Sequence, residues 1–186
     1  MKRSAIFESK RGFFNVSTNV RKPRQTLPGA RYHVIARANR GEFILQNPST
    51  KEMLLSIVRR AKRKYRFAIE TFCIMDSHVH FIIRPMKGES ISRIMQWILS
   101  VFAIKYNRKF GYFGHVWLDR FKSFILFTDA QRFKAHHYIN QNPVAAGIVR
   151  HHAEYQFSAS RMILEGDFSL IEKPPQFIYS IYLDKS

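Results

Sequence analysis

The sequence predicts an α+β fold, and three features lead to that prediction. Four short stretches are rich in apolar residues, and the first of them alternates apolar with polar side chains, as half-buried strands do. Two longer stretches place apolar residues at helical spacing. The order strand, helix, strand, strand, helix, strand is that of a ferredoxin-like split βαβ sandwich, a four-stranded antiparallel sheet with two helices on one face.

The first predicted strand is Arg31–Asn39, with the sequence RYHVIARAN. Every second residue from Tyr32 to Ala38 is apolar, so these side chains point to one face of the sheet. The side chains that point to the other face belong to Arg31, His33, Ile35 and Arg37.

Two helices are predicted from apolar residues that recur at helical spacing. The first begins at Ser49 or Thr50, either of which can cap it, and ends near Tyr65. The second has Ser90 as its cap and continues to about Tyr106.

Three further strands complete the predicted sheet. Phe67–Met75 and His78–Arg84 form a hairpin around a tight turn at Asp76-Ser77. Both strands are apolar enough to be central in the sheet. The fourth strand is Ser123–Thr128.

A last core helix is predicted after the fourth strand. Asp129 is its expected N-cap, and the helix covers Ala130 to about Asn140, after which Pro143 begins a turn that ends near Gly147. This helix is rich in His, Tyr, Asn and Gln, which a plain core does not select. It therefore indicates a functional site.

The chain is predicted to have three parts. Residues 1–30 form a basic N-terminal arm broken by prolines and a glycine, and residues 31–150 form the folded domain. Residues 151–186 form a C-terminal extension that packs on the core.

The charge of the chain indicates an anionic partner. It contains 31 Lys and Arg residues against 13 Asp and Glu, a formal net charge of +18. Because the basic residues are spread along a folded, aromatic-rich chain, we expect nucleic acid rather than an acidic protein or a membrane surface. No stretch reaches the roughly 18 apolar residues of a membrane span. With no evident signal peptide and Cys73 as the single cysteine, we expect a cytoplasmic protein without internal disulfides.

His78 and His80 are candidate metal ligands. They flank Val79 in a predicted strand, so both imidazoles point to the same face. Two neutral imidazoles on one rigid strand can bind a divalent metal and leave positions for another ligand, water or substrate. An H-x-H pair is also compatible with a half-buried strand whose histidines form ordinary hydrogen bonds, so its context has to decide.

The last core helix offers a nucleophile for a phosphodiester. The phenol of Tyr138 can form a tyrosyl phosphate when a cation polarises the phosphate, and Tyr106 and Tyr112 are alternatives on sequence grounds. Asn142 follows Tyr138 by four residues and so shares its face of the helix. Its amide oxygen suits magnesium or manganese, and Gln141 is the neighbouring alternative.

Several segments in order resemble one known family. They are RYHVIARANRGEFI, HVHFIIRP, GHVWLDRFKS and YINQNPVAAGIV, with YQFSASR in the tail. They cover roughly Arg31 to Arg161 and resemble the IS200-like single-tyrosine (Y1) transposases, most of all the REP-associated tyrosine transposase branch. Such an ordered set is far more specific than two histidines alone.

The resemblance implies an HUH nuclease domain over residues 31–150. It implies His78 and His80 as ligands of a divalent cation, Mg or Mn, with the family's polar ligand mapping onto Asn142. It implies Tyr138 as the nucleophile of single-stranded DNA cleavage beside a hairpin, with a 5′-phosphotyrosine intermediate, a free 3′-hydroxyl and subsequent strand joining.

Two departures from the family's pattern bear on the site. The family often has histidine or tyrosine with leucine where this chain has Asn140-Gln141, so the identity of the polar ligand stays open. The family commonly has Pro-Asn or Pro-Glu where this chain has Asp76-Ser77. Neither departure removes a catalytic side chain.

The basic loop before the fourth strand supplies candidate DNA contacts. Trp117 offers a ring for stacking, although it suits a core anchor as well, and Arg120 and Lys122 offer cations for phosphates. Further candidates in the N-terminal arm are Arg21, Lys22 and Arg24.

Two other functions fit the same sequence. One is a DNA- or RNA-binding module of this fold that has lost cleavage, and the other is a basic protein-interaction domain. The sequence leaves open whether the protein is a monomer or a homodimer.

Overall fold

The structure is a computed structural model of the chain, and it describes residues 26–183. Most of the predicted N-terminal arm lies outside the described residues, including Arg21, Lys22 and Arg24. Their contacts with DNA therefore stay predictions.

A four-stranded antiparallel sheet forms the centre of the fold. Its strands are β1 (Arg31–Arg37), β2 (Phe67–Ile74), β3 (His78–Pro85) and β4 (Lys122–Leu126), in the order β2-β3-β1-β4. The predicted α+β class and split βαβ order are confirmed.

The helices of the described residues are α1 (Pro48–Lys64), α2 (Ile91–Phe110), α3 (Asp129–Ala145), α4 (Ala159–Leu164) and α5 (Gln176–Leu183). Short 3-10 turns lie at Asn39–Gly41 and His152–Glu154. Within residues 26–183 no helix is both long and apolar enough to cross a membrane.

The two faces of the sheet have different roles. On one face, the pairs Val34–Phe81 and Ala36–Val79 are fully or almost fully buried and belong to the same core cluster as the apolar sides of α1 and α2. Because successive side chains of a strand point to opposite faces, the residues adjacent to these in β1 and β3 point to the other face, which we call the second face. The cross-strand pairs on that face include Ile35–His80 and Arg37–His78. α3 packs on this second face.

β2 lies at an edge of the sheet, so the expectation of a central strand was wrong. All eight of its residues are nevertheless buried, because the C-terminal extension covers the edge. Ile74 N donates to Phe157 O at 3.0 Å, and Glu172 N donates to Ile69 O at 2.8 Å. Such cover satisfies the backbone groups that an edge strand otherwise exposes.

The ends of two helices differ from the expectation because of their caps. α1 begins one residue before Ser49, with Pro48 at its start and Asn47 as the cap, whose Oδ1 accepts from Ser49 N at 2.8 Å. α3 is capped by Thr128 rather than Asp129, because only Thr128 has extended backbone geometry and forms a capping box with Gln131.

α3 also continues beyond its predicted end. It passes through Pro143 and ends at Ala145, so Asn142 lies inside the helix. Smaller differences concern the ends of β1, β2, α2 and β4. β1 ends at Arg37 because the 3-10 turn begins two residues later, although Ala38 still forms an isolated bridge with Trp117.

Candidate active site

β3 places two imidazoles side by side on the second face of the sheet. The ring centroids of His78 and His80 are 5.0 Å apart, with the rings almost perpendicular. His80 is buried, with 1% of its surface exposed, whereas His78 is half-buried beside the Ser77 hydroxyl. β3 lies between β2 and β1, so the backbone that carries both rings is held on both sides.

A third imidazole belongs to the same group, and sequence reasoning did not single it out as a site residue. His33 Nε2 and His80 Nδ1 are 3.0 Å apart across β1 and β3. The other ring nitrogen of His80, Nε2, is buried and has no hydrogen-bond partner. The alternation of β1 had placed His33 on the polar face. Only the register of β1 against β3 shows that it meets His80.

Tyr138 reaches the same group from α3. Its ring centroid lies 5.5 Å from that of His80 and 6.0 Å from that of His33, and 52% of the residue is exposed. The rings of the alternatives Tyr106 and Tyr112 contact the ring of Phe110 at the end of α2. Among the described residues neither has a ring contact with an imidazole of this group.

The structure brings Asn142 to the histidines and turns Gln141 away. Asn142 Nδ2 donates to Tyr138 O at 2.7 Å, which leaves the amide oxygen for another partner. The Asn142 side chain also lies close enough to His78 to raise the pKa of that imidazole. Gln141 instead lines a cavity of about 420 Å³ together with Phe133.

Burial keeps the three imidazoles neutral. It lowers the pKa of His33 to about 4. Burial, with the nearby His78, His33 and Arg37, lowers the pKa of His80 to about 3. Burial also lowers the pKa of His78, against a raising effect of the nearby Asn142 side chain. Neutral imidazoles are the form that binds metal ions.

These side chains fit a divalent cation. Two neutral imidazoles can bind a divalent metal, and the amide oxygen suits magnesium or manganese, while the remaining positions stay open to water or phosphate oxygens. The unpartnered Nε2 of His80 is the atom that such an ion would satisfy. Within the described residues no three His, Cys, Asp or Glu side chains converge on one ion, so a closed structural zinc site is not present there.

Comparison with known proteins assigns the family. The model of the IS200-like transposases matches residues 26–142, which is well over half of the chain. The chain belongs to the IS200-like transposase family. None of the curated proteins matches it in sequence.

Two solved structures resemble this IS200-like transposase. A REP-associated tyrosine transposase bound to a REP hairpin is 20% identical with a TM-score of 0.66, over 83% of this chain and 91% of that one. A candidate transposase of Deinococcus radiodurans is 16% identical with a TM-score of 0.47, over 64% of this chain and 95% of that one. The first likeness confirms the fold.

Basic side chains of the transposase lie next to the imidazoles. Arg37 pairs with His78 across the sheet and is exposed. Lys122 pairs with Ile35, which on its other side pairs with His80, so the three form one row on the second face. The backbones of Lys122 and His80 are therefore two strand spacings apart, about 10 Å.

Trp117 is held by the core. Its Nε1 donates to Leu99 O at 3.0 Å, and its ring centroid lies 5.3 Å from that of Phe102. Its remaining surface lines a cavity of about 750 Å³ together with the exposed Arg120.

Another cleft, of about 810 Å³, opens beside the end of β1 and is rich in exposed aromatic rings. Phe113 is 98% exposed, and Phe43 and Tyr112 are 66% and 58% exposed. Arg40 lines the same cleft. We call this surface the aromatic cleft. Aromatic rings beside cations are typical of surfaces that stack unpaired bases.

A buried carboxylate fixes α3 to the sheet. Glu70 of β2 accepts hydrogen bonds from Arg31 at 2.5 Å and from Arg132 of α3 at 2.7 Å, and His136 of α3 lies 3.3 Å away. His136 in turn meets the hydroxyl of Tyr182 on α5 at 2.9 Å. Although burial raises the pKa of Glu70, the hydrogen bonds of His136, Arg132 and Arg31 outweigh it and lower that pKa to about 2.

Proposed function

We propose that this IS200-like transposase cleaves and rejoins single-stranded DNA through a covalent bond between Tyr138 and a 5′-phosphate. The observation that carries the proposal is the contact of the Tyr138 ring with His80 and His33 of the same chain. The Tyr138 ring meets both imidazoles edge to face, which supports a nucleophile beside a proposed metal ligand.

Each side chain of the site has a proposed role. His78, His80 and the amide oxygen of Asn142 would hold a divalent cation, Mg or Mn. When bound, such a cation would supply charge neutralisation at the scissile phosphate and make the phosphorus more electrophilic. Asn142 also ties its ligand position to the nucleophile, because its Nδ2 donates to the carbonyl of Tyr138.

The proposed reaction exchanges one phosphate ester for another. The Tyr138 oxygen attacks the phosphorus, its proton goes to solvent, and the bond from phosphorus to the 3′-oxygen breaks. The 3′-oxygen takes a proton from solvent and leaves as a free hydroxyl. The half-exposed position of Tyr138 allows both transfers. Attack of a 3′-hydroxyl on the tyrosyl phosphate reverses the reaction and joins strands.

The proposed substrate is single-stranded DNA next to a hairpin of the REP type. The net charge of +18 and the position of Lys122 and Arg37 beside the imidazoles support a phosphate backbone on the second face of the sheet. The similar transposase of known structure is bound to a REP hairpin. We propose that Arg120 and the exposed edge of Trp117 contact the same DNA. We do not propose Gln141 as a metal ligand, because it lines the cavity beside Phe133 and the three imidazoles do not line that cavity.

The aromatic cleft is proposed to stack the unpaired nucleotides that flank the hairpin. It begins at the 3-10 turn Asn39–Gly41, and Ala38, the residue before this turn, donates its backbone N–H to Ser77 O at 2.8 Å. The cleft therefore begins beside the His78 end of β3, and we propose that a strand leaving the imidazoles along this end of the sheet continues to Phe113 and Tyr112.

Covalent capture tests the proposal. We expect the wild-type protein with hairpin-containing single-stranded DNA and Mn²⁺ to give an adduct that survives SDS and migrates more slowly on a gel. Tyr138→Phe is expected to abolish the adduct, whereas the matched Tyr106→Phe is expected to retain it. An adduct that persists in Tyr138→Phe would assign the nucleophile to another residue. Tight binding by the wild-type protein without any adduct would instead support a DNA-binding module without cleavage.

A further inference from the structure

We propose that His33 is a positioning residue that holds the metal-binding nitrogen of His80 free of its proton. The inference rests on the proposed function, because it concerns the cation of that site. It assigns a role to a residue outside the ligand set and the nucleophile.

The distance of 3.0 Å between His33 Nε2 and His80 Nδ1 requires one of these nitrogens to donate and the other to accept. If His80 Nδ1 donates, the neutral ring carries no proton on Nε2, and the Nε2 lone pair is available to a cation. If His33 Nε2 donates, the proton of neutral His80 lies on Nε2. That arrangement would bury an N–H group without a partner, because Nε2 has none.

The two arrangements therefore differ in cost. The second leaves a buried donor unsatisfied and occupies the nitrogen that faces the proposed cation. Both arrangements form the His33–His80 hydrogen bond, but the first leaves at Nε2 an acceptor that a cation completes. A histidine ligand commonly has its other ring nitrogen fixed by a hydrogen bond in this way. The geometry thus points to His33 as an acceptor at Nε2, with its own proton on Nδ1.

The surroundings hold the His33 ring in the orientation that this role needs. Its centroid lies 6.3 Å from that of Phe124 on β4 and 6.0 Å from that of Tyr138 on α3. The ring is thus flanked by β3, β4 and α3, and it also contacts the proposed nucleophile. A change at position 33 that frees this space would therefore affect both the cation and Tyr138.

The test is the tautomer of His80 in the metal-free, DNA-free protein. In two-dimensional NMR spectra of protein with ¹⁵N-labelled histidine, we expect His80 to show a protonated Nδ1 and an unprotonated Nε2, with its signals assigned by their loss in His80→Gln. His33→Gln retains an acceptor oxygen near the position of Nε2, and we expect it to keep this tautomer. His33→Leu removes the acceptor, and we expect the proton to shift to Nε2.

The affinity for Mn²⁺, measured by electron paramagnetic resonance, gives the second readout. We expect His33→Leu to weaken Mn²⁺ binding by about 10- to 100-fold and His33→Gln to restore most of it. His78→Ala identifies the signal of this site by abolishing it. A wild-type His80 protonated at Nε2 would overturn the proposal, as would an unchanged Mn²⁺ affinity in a folded His33→Leu variant.

Failure of the proposed function has a different signature. In that case the tautomer and the Mn²⁺ affinities follow the expectation, while no covalent DNA adduct forms. A wild-type protein that binds no Mn²⁺ at this site would overturn both.

Discussion

At the residue scale, the site depends on which atom of each side chain remains free. Asn142 illustrates this, because one end of its amide is occupied by the Tyr138 carbonyl and the other end faces His78. His80 is similar, since Nδ1 is engaged and Nε2 is not. The atoms left for the proposed cation are therefore an amide oxygen and an imidazole nitrogen, both of which are acceptors.

The first prediction distinguishes Asn142 from Gln141 as the proposed metal ligand on α3. Asn142→Ala removes a proposed ligand oxygen, so we expect the Mn²⁺ concentration for half-maximal adduct formation to rise at least roughly tenfold. Asn142→Asp keeps an oxygen ligand and is expected to retain the site. Gln141→Ala is the matched control and is expected to change nothing. A response to Gln141→Ala but not to Asn142→Ala would exchange their roles.

Sequence spacing predicts part of the proposed site, and the remaining contacts depend on tertiary packing. The spacing of His78 and His80 and the i+4 relation of Tyr138 to Asn142 follow from regular strand and helix geometry. The contact of His33 with His80 depends on strand register, which alternation alone does not determine. Likewise, nothing local shows that the indole of Trp117 hydrogen-bonds a carbonyl 18 residues earlier in the chain.

At the scale of elements, α3 carries both the proposed nucleophile and a proposed ligand, so its position on the sheet is critical. Few of its side chains are apolar, and a buried ion pair holds it instead. Glu70 lies where the pairing register of β2 shifts, between Ile69 and Thr71. A single acid in the apolar strand FAIETFCI was a signal that a cationic partner had to be nearby. The sequence did not show which residues supply it.

The second prediction concerns this ion pair. The carboxylate of Glu70 is surrounded by Arg31, Arg132 and His136. Because Glu70→Gln leaves these groups without their negative partner, we expect it to lower the free energy of unfolding by about 3–5 kcal/mol at neutral pH. Glu165→Gln, which breaks the exposed pair with Arg161, is the control and is expected to cost less than about 1 kcal/mol. Denaturant unfolding measures both.

The pH dependence of the same pair has a definite sign. The pKa of Glu70 lies at about 2 in the folded protein, below its ordinary value of 4.5. The stabilisation by its carboxylate is therefore complete above pH 4.5 and is lost as the pH falls towards 2. We expect Glu70→Gln to lose stability less steeply over this interval than the wild type. Equal slopes would show that Glu70 does not carry the acid sensitivity.

The third prediction concerns Phe113, which lies in the segment between α2 and β4 and belongs to the aromatic cleft. Phe113→Ala removes an almost fully exposed ring. We expect the affinity for single-stranded DNA to fall about tenfold, because the loss of one stacked base typically costs about 1–3 kcal/mol of binding free energy. Leu164→Ala on α4 is a control at another exposed apolar residue. A hairpin without unpaired tails is expected to bind both variants like the wild type. Equal losses for tailed and tailless DNA would contradict base stacking in the aromatic cleft.

The element pattern was the most predictable part of the fold. Alternation and helical spacing gave the four strands and the order of the helices, because local periodicity reflects which face is buried. The edge position of β2 was not predictable. Its apolar sequence results from the C-terminal extension that covers it, and that contact joins residues far apart in the chain.

At the scale of the whole molecule, one chain contains the complete set of proposed catalytic side chains. β3 supplies the histidines, and α3 of the same chain brings Tyr138 to them. The C-terminal extension stabilises this arrangement, because Tyr182 on α5 contacts His136 of α3. We therefore predict that the active site is formed in cis.

The fourth prediction tests the cis arrangement. A mixture of the His78→Ala and Tyr138→Phe proteins is expected to form no covalent adduct, because neither chain has both an intact metal site and a nucleophile. If the tyrosine of one chain served the histidines of another, the mixture would recover adduct in mixed assemblies. Adduct formation by wild-type protein at the same total concentration is the control.

The most direct test of the central claim is to locate the nucleotide on the protein. Trypsin is expected to release residues 135–150, AHHYINQNPVAAGIVR, a peptide in which Tyr138 is the only tyrosine. After nuclease trimming of the adduct formed with Mn²⁺, we predict by mass spectrometry that this peptide carries a 5′-nucleotide phosphate on Tyr138. The same modification on the peptide that contains Tyr106 or Tyr112, with this peptide unmodified, would contradict the account.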